Sequence, residues 1–273
     1  MSERPITRAG HIAYGRNRFC GADVFDELAA QVVTPGDLLA RALGARALDE
    51  DDRELLRCAA LALTSPDPRV WPLKLTRVLA SYGNVFAGFY GAQLASATQK
   101  MGPNSGTGAA QALAWLLDQI RDDDDDEAFA RKLDSYLAQV GRIGGFGVPF
   151  RDEDERQVAL TRLLEHHPIT RRRPWQMHLR MARVMRAAHG LQVNVVLPLV
   201  AIALDLGIAP RRAGLWMSLT MAHTFAAHAV EALDHDAPFL RELPVASIDY
   251  RGRAPRQSPA AAAATARGSA RAG

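Results

Sequence analysis

Lysine is almost missing from these 273 residues. It occurs only as Lys74, Lys100 and Lys132, so 30 of the 33 basic residues are arginine. A GC-rich coding bias produces such a ratio, and so does selection for phosphate contacts. An excess of one charge is missing too. The net charge is +3, and Arg251, Arg253, Arg256, Arg267 and Arg271 lie in the tail, so the body is close to neutral and general nucleic-acid binding is not expected. Cysteine is scarce. Cys20 and Cys58 are too few for a disulfide scaffold and too few for a zinc cluster without histidines at ligand spacing, so both are expected as buried thiols and no metal site is expected. Long apolar runs are absent, since Arg, Asp, Gly or Pro interrupts each one before about eighteen residues, and no membrane span is expected. Met1 to Gly10 carries Arg4 and Arg8 with no apolar stretch behind them, which argues against a secretory signal and for a cytoplasmic protein.

What is present is helical periodicity. Apolar residues fall at threes and fours over Phe25 to Ala30, Thr34 to Leu43, Asp51 to Leu63 and Leu73 to Ala97, with Pro35, Gly44, Pro66, Pro68 and Pro72 between them. Further helices are expected over Ala109 to Ile120, Ala128 to Val140, Asp152 to His166, Pro174 to Ala188, Leu197 to Leu206 and Leu215 to Leu233. Strand-like alternation is scarce. The acidic run Asp122 to Glu127 reads as a solvated loop that caps the following helix, because like charges this dense repel unless a preformed cage holds a cation. From Gln257 on, Ala, Arg, Ser and Gly dominate with no apolar pattern, and residues 257–273 are expected to be disordered.

Gly141-Arg-Ile-Gly-Gly-Phe-Gly147 packs four glycines into seven residues, so its backbone must turn with positive φ or approach something closely. It is not a dinucleotide fingerprint, because no strand precedes it and the glycine spacing differs. His223 and His228 are five apart and do not share a helix face as i, i+4 metal ligands would. No GxSxG elbow occurs, and no spacing supports a Ser/His/Asp or Cys/His arrangement. The residues by themselves therefore describe an all-α globule with one unusual glycine loop.

Several segments, in order from Ala9 to Arg256, resemble the citrate synthase superfamily, most closely its short citryl-CoA lyase-like branch. Gly145-Phe-Gly-Val148 with Glu155-Arg156 resembles the family's GFGH followed by Asp-Pro-Arg. Asn194-Val-Val196 through Asp205-Leu-Gly207 is similar to its Asn-hydrophobic-Asp to Asp-Leu-Gly helix. Ala227-His228-Ala-Val-Glu231 is similar to its Ala-His-x-x-Glu, and Ile248-Asp-Tyr250-Arg-Gly252 to its terminal Tyr-x-Gly. Gly102-Pro-Asn-Ser-Gly106 stands where the family has a Gly, His, Gly, Gly stretch.

The resemblance implies a citrate synthase-like helical domain over residues 1–256, with a smaller helical subdomain over roughly 141–230. It also implies a homodimer with long helices at its interface. The recurrence of Ala80, Gly83, Ala87, Gly91 and Ala95 in Leu73 to Ala97 would let helices approach closely there. In the family a carboxylate takes the α-proton of an acyl-CoA thioester while histidines polarise the two carbonyls. Here Ser105 and Val148 stand at the histidine positions and Val196 at the Asp position. A further substrate-binding histidine falls near Asp67, and an arginine falls near Met221 or His223. Two readings stay open. One is an acyl-CoA carbon-carbon lyase or acyltransferase with a non-standard site, for which Ser105, His223, His228 and Arg69 are the local candidates. The other is an inactive binding or scaffold protein of the same fold. On either, no cofactor is tightly bound and CoA or a CoA thioester is the expected ligand. Its nucleotide would be held by Arg142, Gly144, Gly145, Phe146 and Gly147, with Arg151 and Arg156 just beyond, and Arg241 and Arg256 reaching in from the C-terminal region.

Overall fold

The computed structural model describes residues 7–13, 15–31, 33–64, 67–98, 102–121, 123–148, 152–235, 244–249 and 251–253. The chain divides into two compact units, Met1–Ala237 and Pro238–Gly273. In the second, the described part is a single 3-10 turn, Val245–Ser247, with Arg251 paired to Asp249. Arg151, Arg241, Tyr250, Arg256 and the tail 257–273 lie outside the described residues.

The first unit opens with three short antiparallel strands, β1 (Gly10–Ala13), β2 (Arg16–Phe19) and β3 (Ala22–Asp23), in the order β1-β2-β3. Cys20 (φ 47) and Gly21 (φ 87) make the two-residue turn between β2 and β3, where both positions need positive φ. These strands are too short and too polar to show alternation. Cys20 is half-buried, contrary to the expected buried thiol, whereas Cys58 is buried and its thiol pKa is pushed up to about 11 by that burial and by Glu54. A π-helical turn follows at Val24–Leu28 where an ordinary helix was expected.

Eleven α-helices make up most of the described chain. The first two are α1 (Pro35–Ala42) and α2 (Glu50–Ala62), each opened by a capping box, Thr34 with Asp37 and Asp49 with Asp52. The helix expected over Leu73 to Ala97 is broken into α3 (Trp71–Ala80), a left-handed Gly83 (φ 80), a π-helical turn at Ala87–Gly91 and α4 (Ala92–Ser96). Gly88 folds that turn onto α3, since a Cβ there would lie 2.7 Å from both the Ala80 Cβ and the Thr76 carbonyl oxygen. Ala80 is thus buried within its own chain. The face left exposed carries Tyr82, Phe86, Tyr90 and Leu94.

Next come α5 (Pro103–Gln119), α6 (Asp126–Val140), α7 (Glu155–Leu163), α8 (Arg173–His189), α9 (Val196–Asp205), α10 (Pro210–Thr220) and α11 (Ala222–Leu233). The single helix expected over Leu215 to Leu233 is two, bent at Met221. The acidic run is shared out: Asp125 caps α6, Asp124 pairs with Lys132, and Asp126 bridges Arg180 and Arg183. Among the described residues no helix is long and apolar enough to cross a membrane.

The core is built around α9. Its sequence VLPLVAIALD is apolar on every side, as a helix surrounded by other helices must be. Leu197, Leu199, Val200 and Ile202 are fully buried, each worth about 1.5–3 kcal/mol of gross transfer energy. Helices α5, α8 and α10 pack around it, with Trp175 and Trp216 filling the gaps. At its far end Asp205 pairs with Arg172, which also meets Asp52, and Asp52 in turn takes Arg46. The Asp205-Leu-Gly207 motif therefore staples α9 to the starts of α2 and α8.

Candidate functional site

The glycine loop leaves α6 through a left-handed Gly141 (φ 72), whose N–H donates to the Leu137 carbonyl at 2.8 Å. Its later half then runs antiparallel to residues 192–194. Phe146 bridges Val193, the Gly147 N–H donates to Gln192 at 2.7 Å, and the Asn194 N–H donates to Gly145 at 2.9 Å. Asn194 clamps the arrangement with its side chain. Nδ2 donates to the Gly147 carbonyl at 3.1 Å, and Oδ1 accepts the Val196 N–H at 3.0 Å, which starts α9. One asparagine thereby joins the loop to the head of the buried helix, and both Gly145 and Gly147 sit at φ 88 to permit it.

The three glycines are needed for different reasons. A Cβ at Gly144 would stand 2.1 Å from the Ser105 carbonyl oxygen and 2.7 Å from its Oγ, so the loop is seated directly on the first turn of α5. A Cβ at Gly145 would stand 3.0 Å from the Leu197 Cβ, which seats it on α9. A Cβ at Gly147 would meet nothing within 4 Å among the described residues, so this backbone is open on the Cβ side. Ser105 is itself fixed by close packing beneath it. Gly106 meets Met217 and Gly214 of α10, and a Cβ at Gly214 would fall on the Pro103 carbonyl oxygen. Ser105, Gly144 and the Asn194-to-Leu197 segment, from three separate stretches of chain, therefore meet at one place.

Asp154 secures the outer side. It is 2% exposed, accepts the Val195 N–H at 3.0 Å, and takes the Arg156 guanidinium in a two-point fork at 2.9 and 2.8 Å. Burial raises its pKa, but the Arg156 hydrogen bonds, the Val195 N–H and the Arg156 charge outweigh that and hold the carboxyl below its usual range. A carboxylate so stabilised is a weak base. Arg156 presents its Nε and one terminal nitrogen to this carboxylate. Neither Asp154 nor the Asn194 clamp was assigned a role from the sequence, although Asp154 just before a helix is a capping signal.

The other sequence-derived candidates are placed as follows. Arg142 is exposed on the loop, Phe146 is buried under it, and Val148 is half-buried at its end. Val196 is the half-buried first residue of α9. His223 and His228 are on α11, which packs on α3. The His223 Nε2 is 2.8 Å from the Thr64 hydroxyl. His228 is buried, with Nδ1 3.5 Å from Arg77 and 4.0 Å from Glu231. Arg69 makes a local fork with Asp67, and Met221 packs beside Leu73 and Phe225. Among the described residues no group of three or more His, Cys, Asp or Glu side chains is placed to hold a metal ion.

Neither a family model nor a curated protein sequence matches the chain. Solved structures do match by fold. The citryl-CoA lyase of Hydrogenobacter thermophilus superposes with a TM-score of 0.78 at 17% identity, over 94% of this chain and 98% of that one. The ATP citrate lyase of Methanothrix soehngenii, solved with citrate and coenzyme A, gives 0.73 at 14% identity, over 93% of this chain and 42% of that longer one. The citrate synthase of Thermotoga maritima gives 0.58 at 14% identity, over 94% and 96%. The fold is thus mostly helical and citrate synthase-like, as the resemblance implied.

Proposed function

We propose that this protein binds CoA or a CoA thioester where the glycine loop, the first turn of α5 and the head of α9 meet, and that it does so without ordinary citrate synthase chemistry. The observation that carries this reading is the seating of Gly144 on Ser105 together with the opening beside Gly147. Packing of this kind presets a loop whose open backbone can approach a ligand. The solved relatives with CoA or citryl-CoA bound lend the ligand class.

The chemistry is limited by the side chains at the junction. Val148 and Val196 neither donate nor accept protons, and each lost acid-base group costs roughly 10²- to 10⁴-fold in rate. Asp154 is too well paired with Arg156 to substitute as a base. Ser105 is half-buried near the positive end of α5 and can donate a hydrogen bond to a carbonyl oxygen. That position supports a second reading, an acyl-CoA carbon-carbon lyase or acyltransferase using Ser105, with His223 and His228 as the remaining candidates.

The test is calorimetry and thermal unfolding with CoA, acetyl-CoA and longer thioesters. Ligand at a hundred times its Kd stabilises by about 2.7 kcal/mol whether or not turnover occurs. Gly147→Trp fills the open side of the loop and is expected to abolish the effect. Absence of heat and of any melting shift at millimolar CoA would remove the reading.

The same proposal includes a homodimer. Its support is the exposed row Tyr82, Phe86, Tyr90 and Leu94, with Phe86 and Tyr90 stacked 6.4 Å apart, an apolar face of the kind that marks an association surface. Sedimentation at micromolar concentration should give twice the chain mass, and Phe86→Glu should give monomer. A wild-type monomer would overturn it.

A further inference from the structure

We infer that a second anion site, for a phosphorylated small molecule, lies in the cleft between the C-terminal end of α5 and the first turns of α8. The cleft has a volume of about 330 Å³, and four of its eight lining residues are arginine: Arg121, Arg173, Arg180 and Arg183. None is acidic. Ile120 and Met177 supply its apolar part.

Three of the arginines are held by protein contacts before any ligand arrives. Arg173 donates from one terminal nitrogen to the Ile120 carbonyl at 3.0 Å. Arg180 lies over the Phe129 ring at 4.7 Å, with Nε on Asp126 and its second terminal nitrogen on the Asp124 carbonyl. Arg183 forks Asp126 through Nε and the same terminal position. In all three the first terminal nitrogen has no protein acceptor among the described residues. The Arg121 side chain has neither hydrogen bond nor ion pair there.

The charges do not cancel. Among the described residues four guanidinium groups and Lys132 meet two carboxylates: Asp126 takes Arg180 and Arg183, and Asp124, held by Lys132 at 2.6 Å, also faces Arg121. The start of α8 adds to the positive charge, because it has no capping side chain and no acid in its first turn. Several rigid N–H donors on charged groups suit the oxygens of a phosphate, which accepts from more than one arginine at once. The volume is at the lower end for small-molecule sites and admits more than a bare phosphate.

This site is separate from the glycine loop. Ser105 in the first turn of α5 and Ile120 just past its end are fifteen residues apart, about 22 Å at 1.5 Å per residue. The inference stands whether or not CoA binds at the loop.

Calorimetry in low salt with pyrophosphate, ADP and tricarballylate tests it. Pyrophosphate and ADP are expected to bind, with tricarballylate at least about tenfold weaker. Arg121→Gln removes an exposed side chain that makes no hydrogen bond among the described residues, so the fold should be unchanged. It should weaken pyrophosphate about fivefold or more, and Arg121→Gln with Arg173→Gln should abolish binding. Gly147→Trp and the surface control Arg57→Gln should leave pyrophosphate within about twofold of wild type. No pyrophosphate heat at millimolar concentration would overturn the site. So would equal losses in Arg57→Gln or Gly147→Trp, and tricarballylate binding as tight as pyrophosphate would overturn its assignment to phosphate.

Discussion

Adding one methyl group at residue 144 isolates the contact on which the proposed site depends. Gly144 is not at positive φ, so alanine costs nothing in backbone conformation there, and the whole effect comes from close approach. The new Cβ would lie 2.1 Å from the Ser105 carbonyl oxygen and 2.8 Å from its carbonyl carbon. Reaching ordinary contact distance takes a movement of about 1 Å. Both partners are backbone, and neither can rotate away. Overpacking of this kind costs about 1–3 kcal/mol. If the loop lifts instead, the Asn194 bonds to Gly145 and Gly147 stretch or break, at about 0.5–1.5 kcal/mol each. Gly144→Ala should therefore destabilise by about 2–4 kcal/mol, a fall of roughly 5–10 °C in melting temperature, and should abolish the melting shift produced by CoA. Ser105→Ala should not rescue it, because the tightest contact is with the carbonyl oxygen rather than Oγ. Gly147→Ala is the control, since its Cβ meets none of the described residues within 4 Å and it pays about 1–2 kcal/mol for its positive φ. Differential scanning calorimetry on wild type and the three variants, with and without CoA, reads both quantities. If Gly144→Ala melts with wild type, the loop is not seated on α5 and the site as described does not exist.

Three further outcomes follow from the same contacts. Asp154→Asn should cost about 1–3 kcal/mol by urea denaturation at pH 7, less than a fully buried pair because Arg156 is partly exposed. Since this carboxyl is held below its usual range, its stabilisation is full above about pH 4 and is lost as pH falls through its lowered pKa, so wild type and variant should converge in acid. His178 is buried against Trp175, and that burial lowers its pKa to about 4. Stability should therefore fall as pH drops from about 6.5 towards 4 and the unfolded chain takes up a proton, and His178→Phe should flatten that slope. Wild-type protein in deuterated water should neither exchange the α-protons of acetyl-CoA nor cleave citryl-CoA above background, as mass spectrometry and a coupled assay would show. Brisk exchange would overturn the assignment of Val196 to the base position.

How much of this was legible in the sequence depends on the range of the physics involved. The helix starts at Thr34, Asp49 and Asp125 are visible because a cap is a relation between residues three apart. The glycine loop is visible because positive φ is also local. What the loop rests on is not visible, because Gly144 touches a carbonyl oxygen at residue 105, and any residue would supply that atom. The bend at Met221 and the break at Gly83 escaped for a related reason. Apolar spacing runs through both, and only the packing of α11 and of the Ala87–Gly91 turn against α3 shows where the chain turns. Small residues are the least specific signal. Ala80, one of the five that suggested close helix approach between chains, packs against Gly88 within one chain, and aromatic rings occupy the exposed face. A small residue marks close approach without saying to what.

The head of α9 joins the legible and the hidden parts. An all-apolar helix is plain in the sequence, and it must be buried. Burial fixes its axis, the Asp205 network fixes its far end, and Asn194 transmits that fixed position to the glycine loop through two side-chain hydrogen bonds. The loop geometry is therefore a consequence of the core, and it is retained without any proton-transferring side chain at Val148 or Val196. Gly144 is required by its seat on the Ser105 backbone, so its presence follows from the packing whether or not a ligand binds.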